Sequence, residues 1–356
     1  MQINFTSAET LKSKPDESAL GFGSKFTDYM FAMDYDAGKG WHNPRIQPYG
    51  DIRLDPASTV LHYSQCAFEG LKAYRAADRA TDEIRLFRPR DNFIRLNTSC
   101  KRLAMPELDV DFVLSALAKL LEIERDWVPS SAGTALYIRP TIIAADPFLG
   151  VHAAHKYLFY IILSPSGAYY PEGMAPVRIR VEDEYVRAVR GGLGFTKAGA
   201  NYAASILAGE KARNLGFTQV LWLDGVEQRY IEEVGSMNIF FKINGELITP
   251  LLSGSILPGI TRDSVIKLTQ RMGITTTEKK IDVYELMEAG ARGEVEEAFG
   301  TGTAAVISPV GWLTHQDKTI EINNGKTGEL SQKLYDTLTG IQYGDGADEF
   351  GWITRL

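Results

Sequence analysis

Cysteine is scarce in this chain of 356 residues: there are two, Cys66 and Cys100, and no C-x-x-C pair. That scarcity argues against a disulfide framework or a thiolate zinc site and fits a reducing cytosol, in which both thiols serve as small hydrophobes. An excess of basic residues is also missing, because 38 Lys and Arg face 45 Asp and Glu for a net charge of -7. Phosphate surfaces are held mainly by Lys and Arg, so neither nucleic acid nor an anionic membrane is an expected partner. No apolar run approaches the roughly 20 residues that cross a bilayer, and the longest, residues 157–163, has the length of a buried strand. The beginning of the chain lacks a basic segment followed by an apolar one, and Lys12, Lys14, Asp16 and Glu17 come too early for a signal peptide. The expected setting is the cytoplasm. Repeats and low-complexity tracts are absent. With 44% hydrophobic and 23% charged residues, the chain is an ordinary globular one, long enough for two packed domains.

The pattern of what is present divides in the middle. In the first half, residues 26–34 and 83–87 are β-rich. Phe93, Leu96, Cys100 and Leu103 then fall at helical spacing, with Arg95 expected on the solvated side of that helix. A second helix over 112–127 carries Val113, Ala116, Leu117, Leu120 and Leu121 on one face. Two β-rich runs, 135–144 and 156–163, bracket the turn-prone Asp146-Pro147-Phe148-Leu149-Gly150 and predict a long hairpin. His152 and His155 lie in its loop. Without an acidic ligand nearby they are expected to be satisfied or solvated imidazoles, and no metal is assigned. Residues 164–176 hold three prolines and two glycines, which predicts a linker at 166–176 between a smaller domain, 1–165, and a larger one, 177–356.

In the second half, Val177, Ile179 and Val181 alternate with polar residues as in a half-buried strand. Asn201 is expected to cap a helix that starts at Tyr202 and ends at Gly216. The pairs 219–223 with 229–232 and 237–243 with 246–249, joined by Asp224-Gly225 and Asn244-Gly245, predict a largely antiparallel sheet. The Gly/Ser-rich stretch 253–259 opens a helix whose first N–H groups suit an anion. Asp282 is expected to cap a further helix, and residues 299–305 form a small-residue turn.

Lys197 stands in the run Gly191-Gly192-Leu193-Gly194-Phe195-Thr196-Lys197-Ala198-Gly199. Spacing alone favours a surface lysine on a loop. The flanking Thr196 and Ala198 exclude a Walker loop, and the dinucleotide fingerprint requires glycine where Lys197 stands. The functional reading that survives is an amine able to form a Schiff base. Downstream come a tyrosine five positions on, the adjacent acids Glu232 and Glu233, and two small-residue loops suited to phosphate. These are the parts that pyridoxal 5'-phosphate needs.

Six stretches in order, Phe26-Thr27-Asp28, Phe68-Glu69-Gly70-Leu71-Lys72-Ala73-Tyr74, Leu136-Tyr137-Ile138-Arg139-Pro140, the run from Lys197 to Tyr202, Glu233-Val234-Gly235-Ser236-Met237-Asn238 and Ile256-Leu257-Pro258-Gly259, carry a resemblance. The chain resembles the branched-chain-amino-acid aminotransferases of the fold-type IV pyridoxal-phosphate enzymes. The resemblance implies an α/β fold of the α+β type, with a smaller N-terminal sheet-plus-helices domain and a larger C-terminal pseudo-barrel that binds the cofactor. It implies that Lys197 carries the cofactor and shuttles the proton, that Glu233 faces the pyridine nitrogen, and that Tyr202 bonds the phenolic oxygen. Arg95, Ile260, Thr261 and Thr303 would hold the phosphate. Ser236, Thr303 and Ala304 would hold the substrate α-carboxylate. Phe26, Phe68, Tyr137 and Tyr169 would line the side-chain pocket, with Tyr63 entering from the partner of a homodimer, and Arg139 would receive the distal carboxylate of glutamate.

The implied reaction is ping-pong transamination of L-leucine, L-isoleucine and L-valine with 2-oxoglutarate, giving branched-chain 2-oxo acids and L-glutamate, small molecules all. Rivals on the same scaffold are a D-amino-acid aminotransferase and an aminodeoxychorismate lyase; a rival of another class is a catalytically silent binding protein. Two departures stand out. Ala305 and Ser308 replace the C-x-x-C of animal relatives, and Ala200 and Ser236 stand where glycine and threonine are common.

Overall fold

The computed structural model describes residues 1–78, 80–167 and 173–356. Contacts divide the chain into two compact units, one of residues 1–169, 196–199 and 340–356, the other of residues 170–195 and 200–339. The expected single cut at 166–176 is therefore too simple. Ser166 ends a strand, 168–172 lie outside the described residues, and two later segments rejoin the first unit because their backbones pair there. Phe68 N–H donates to the Lys197 carbonyl, and Ile353–Arg355 pairs with a strand of the first sheet.

The first unit is built on one sheet. Its strands are β1 (Asn4–Phe5), β2 (Tyr29–Asp36), β3 (Gly40–Pro48), β4 (Cys66–Phe68), β5 (Leu71–Arg75), β6 (Ile84–Phe87), β7 (Ala135–Ala144) and β8 (Lys156–Ser166), and Ile353–Arg355 adds the edge beside β6. The order is β1-β3-β2-β8-β7-β5-β6, with β4 also on β7. The expected long hairpin is the pair β7/β8, in register from Ala135 opposite Ser166 to Ala144 opposite Tyr157. Helices α1 (Thr59–Tyr63), α2 (Pro89–Arg102) and α3 (Val110–Ile123) accompany it. Apolar positions at 3–4 residue spacing, Phe93, Leu96 and Cys100 on α2 and Val113, Leu117 and Leu120 on α3, are fully buried with Phe31, Phe159 and Ile161 in one core. Asp109 caps α3 by accepting the N–H groups of Asp111 and Phe112.

Proline explains a break in this sheet. β4 and β5 run along β7 in a single register, Phe68 opposite Thr141 and Leu71 opposite Ile138, so Glu69 falls opposite Pro140. Glu69 N–H donates to the Pro140 carbonyl at 2.9 Å, but Pro140 has no N–H to return the bond. The ladder opens there, and Glu69 and Gly70 leave the strand.

The second unit contains β9 (Val177–Val181), α4 (Gly199–Asn214, whose first residue is grouped with the first unit), β10 (Gln219–Leu223), β11 (Ile231–Val234), β12 (Met237–Ile243), β13 (Glu246–Pro250), α5 (Ile260–Arg271), β14 (Thr276–Lys279), α6 (Val283–Ala291), β15 (Val295–Gly302), β16 (Val306–His315), β17 (Lys318–Glu321) and most of α7 (Glu329–Tyr343). The order β11-β10-β9-β16-β15-β12 closes on itself through the β11/β12 pairing and makes a six-stranded barrel. Closure leaves no free edge in that ring. The sheet is mostly antiparallel, as expected, but β9 runs parallel to both of its neighbours.

Local details differ from the sequence reading for identifiable reasons. α4 begins at Gly199, so Asn201 is not its cap; its side chain instead donates to the Leu193 carbonyl at 2.8 Å. The turn after β10 is longer than the two residues expected, because Asp224 accepts the N–H groups of Val226, Glu227, Arg229 and Tyr230. Residues 299–302 belong to β15, leaving 303–305 as the turn. Asp282 caps α6 as expected.

Candidate active site

Lys197 is held by its backbone. Its N–H donates to Ser99 Oγ on α2 at 3.0 Å, its carbonyl accepts from Phe68 N–H at 3.0 Å, and Ala198 bridges to Ala67. Gly199 allows this close approach, since a Cβ there would lie 2.5 Å from Cys66 Sγ. The segment thus acts as an extra short strand beside β4, and the half-buried Lys197 amine sits 5.0 Å from the centre of the Phe68 ring. Glycine-rich flanks supply a path, and pairing supplies the rigidity.

The break opposite Pro140 assembles the rest of the first unit's polar groups. Glu69, fully buried, receives Arg95 in a fork: Nε donates to Oε1 at 2.7 Å and Nη2 to Oε2 at 2.9 Å. Arg95 is therefore a buried, oriented cation and not the solvated helix residue that spacing suggested. Gly70 makes room for Tyr137, whose hydroxyl would lie 2.0 Å from any Cβ at that position. Arg139 donates to the Tyr137 hydroxyl at 3.0 Å, and its guanidinium lies over the rings of Phe68 and Tyr137 at 4.7 and 5.3 Å. Arg139 Nε is buried and has no hydrogen-bond partner among the described residues. A desolvated donor of that kind is costly unless an acceptor arrives.

The structure thus gathers Lys197, Phe68, Arg95, Tyr137 and Arg139 on or beside one strand break of the first unit. Phe26 stacks on Tyr49 at 4.9 Å, and Tyr63, 43% exposed on α1, donates to the Leu149 carbonyl. Tyr169 lies outside the described residues.

In the second unit, the barrel register places the remaining candidates. Glu233 pairs with Asn238, and Asn238 with Thr301; two residues further along the same register, Ser236 falls opposite Thr303. The β11/β12 and β15/β16 turns therefore share one end of the barrel. Asn238 ties the 253–259 loop to that end by donating to the Leu257 carbonyl at 2.9 Å. Gly259 is required there, because a Cβ would lie 2.0 Å from Asn238 Oδ1. Gly259 precedes α5, whose N-terminus has no side-chain cap and starts with Ile260 and Thr261. Tyr202 sits on α4, and Ala304 in the 303–305 turn.

Glu233 is buried. Its Oε1 accepts the Leu257 N–H at 2.7 Å, and Arg187 Nε stands 3.2 Å from its Oε2. The guanidinium compensates a charged carboxylate in a place where water cannot. Arg187 also donates to the carbonyls of Gly194, at 3.3 Å, and Ser255. Alternation on β11 sends Glu232 the other way, where it accepts from Ser255 Oγ while its second oxygen is buried without a partner among the described residues. Burial pushes Glu232 up to about 7. The two neighbours are thus separated in environment, one ion-paired and one desolvated.

Sequence reasoning missed Arg187 and gave Glu69 no role, and neither carries a local signal. The imidazoles are satisfied, as expected, but the premise that no acid lies near them is corrected: Asp146 stands between them, with Oδ2 at 3.2 Å from His152 Nε2 and 3.3 Å from His155 Nδ1. The chain folds back at 145–155 and brings the acid to them.

The profile of the amino-transferase class IV family matches residues 67–311. Branched-chain-amino-acid aminotransferase 2 of Bacillus subtilis (strain 168) is 58% identical over 356 residues, covering 100% of this chain and 97% of that one. Among solved structures, the Escherichia coli branched-chain amino acid aminotransferase superposes with a TM-score of 0.76 at 28% identity, covering 92% of this chain and 99% of that chain. The Thermobaculum terrenum branched-chain amino acid aminotransferase in its PLP-form gives 0.76 at 26% identity, covering 93% of this chain and 99% of that one.

Proposed function

The chain belongs to the amino-transferase class IV family, and from that premise we propose that it is a branched-chain-amino-acid aminotransferase. It transfers the amino group of L-leucine, L-isoleucine or L-valine to 2-oxoglutarate in two half-reactions of ping-pong form. The observation that carries this reading is the 58% identity over full length to the Bacillus subtilis enzyme. The cofactor is pyridoxal 5'-phosphate, and the donor set fits it. An amine on a backbone-anchored segment, a buried carboxylate already balanced by Arg187, and an uncapped helix start match a carbonyl, a ring N–H and a phosphate. When bound, the cofactor supplies an electron sink for the charge that develops at the substrate Cα.

The chain's own residues do the rest. Lys197 Nζ moves the proton at the substrate Cα, and the pairing of its backbone with Phe68 and Ser99 keeps the amine on station. Glu233 receives the ring N–H, and Tyr202 binds the phenolic oxygen. Arg95, held in its fork by Glu69, binds phosphate together with Ile260, Thr261 and Thr303. Ser236, Thr303 and Ala304 orient the substrate α-carboxylate. Phe26, Phe68, Tyr137 and Tyr169 exclude water from the branched side chain, and Tyr63 does so for the partner of a homodimer. Arg139 answers the distal carboxylate of glutamate, which its unpartnered Nε supports. The free thiols of Cys66 and Cys100 suit a cytoplasmic setting.

Single-turnover half-reactions with L-leucine, D-alanine and aminodeoxychorismate test the reading. Rapid reaction with L-leucine is expected; reaction with D-alanine alone overturns it. Lys197→Ala is expected to lose the visible absorbance of the bound cofactor, and light scattering is expected to give twice the chain mass.

A further inference from the structure

The loop that joins β7 to β8, residues 145–155, gathers a set of donors that the transamination does not use. We propose that Asp146, His152 and His155 form a site for one divalent transition-metal ion of the zinc class. Asp146 Oδ2, His152 Nε2 and His155 Nδ1 lie within 4.8 Å of one another. The carboxylate is nearly buried and fixed in direction, because the same Oδ2 accepts the His155 backbone N–H at 2.7 Å. The Asp146 carbonyl accepts Thr59 N–H at 2.9 Å, which anchors the start of the loop on α1.

Two independent features point to a cation. The first is spacing. Ligand atoms about 2.0–2.1 Å from a tetrahedral zinc stand about 3.3 Å apart along each edge, and the two nitrogen-to-Oδ2 distances are 3.2 and 3.3 Å. The second is the state of the His152 ring. Its Nδ1 lies 2.9 Å from the Gly150 carbonyl and its Nε2 lies 3.2 Å from Asp146 Oδ2, two acceptors for the single proton of a neutral ring. With that proton on Nδ1, Nε2 presents a lone pair to the Asp146 carboxylate, an acceptor against an acceptor. A cation between them resolves that conflict, and a carbonyl on the far nitrogen is the usual support of a metal-bound histidine. Two imidazoles and one carboxylate select zinc-type ions over calcium or magnesium, which take oxygen ligands. His155 is 71% exposed, which leaves an entry path and a fourth position for water. The ion would close residues 146–155 into a ring and stiffen a loop that exposes Phe148, Leu149 and Val151.

The test uses the cofactor-loaded enzyme after chelation and dialysis. Titration with zinc chloride in a calorimeter is expected to show one site per chain, no heat with magnesium chloride, and a zinc-dependent rise in melting temperature. His155→Ala, at an exposed position, and His152→Ala are each expected to weaken binding about tenfold or more and abolish the rise. The proposal fails if the folded wild type takes up no zinc, or if binding is unchanged in both variants. The first result would identify the three side chains as a protonated hydrogen-bond cluster, the second as bystanders to a surface site elsewhere.

Discussion

At the scale of single residues, two arginines have opposite tasks. Arg139 keeps an unpartnered Nε against the rings of Phe68 and Tyr137, so its substitution should touch one substrate and spare another. Arg139→Leu is expected to raise KM for 2-oxoglutarate at least tenfold, while the half-reaction with L-leucine changes less than threefold; about 1.4 kcal/mol separates each factor of ten. Equal losses with both substrates would place the residue outside the distal subsite. Arg187 serves Glu233 and the loop carbonyls, and its removal strands a buried carboxylate. Arg187→Leu is expected to cost about 3–5 kcal/mol in urea unfolding and to release the cofactor on gel filtration. An unchanged midpoint together with full retention would show that Glu233 needs no counter-charge.

At the scale of elements, close approaches set the tolerance. A Cβ on Gly194 would meet the Ser255 carbonyl at 2.0 Å, a backbone atom that cannot rotate away; a Cβ on Gly70 would meet the Tyr137 hydroxyl, the end of a side chain. Gly194→Ala is therefore expected to destabilise more than Gly70→Ala, whose overpacking costs about 1–3 kcal/mol. Tyr137→Leu should recover part of the loss in Gly70→Ala and none in Gly194→Ala. Thermal melts of the four variants decide the order. These contacts also mark how far the sequence was legible. Alternation in 177–181 and apolar spacing in α2 and α3 gave their elements, because those patterns depend only on neighbours in the chain. The Lys197 motif and the Glu233 stretch gave the candidate chemistry through resemblance. Glu69 with Arg95, Arg187 with Glu233, and Asp146 with its histidines were not readable, since each pair depends on how a strand break, a loop or a hairpin end folds back. The start of α4 was misplaced for a related reason: Asn201 is a good cap in isolation, but here its side chain is engaged with Leu193.

At the scale of the whole molecule, each unit contains a carboxyl that burial holds well above the ordinary carboxylate range. Glu124 in the first unit, which accepts Tyr29 N–H, and Glu232 in the second are both pushed up to about 7 from an ordinary value of 4.5. Below about pH 4.5 the folded and unfolded chains both hold these protons. Between about 4.5 and 7 the unfolded chain releases them first, so this contribution to stability falls as pH rises and is gone above about 7. The upper limit is about 3 kcal/mol per group. Glu124→Gln/Glu232→Gln is expected to flatten the decline between about pH 5 and pH 8 in denaturant melts; a slope as steep as the parent's would assign the decline elsewhere. The return of Ile353–Arg355 to β6 bears on how the chain is made. A ribosome releases residues 173–339, with every strand of the barrel, while the first sheet still lacks an edge strand encoded some 270 residues after the β6 it joins. Chain order is therefore not completion order: the barrel has all its parts before the sheet that was begun first, and β6 awaits its partner through most of synthesis.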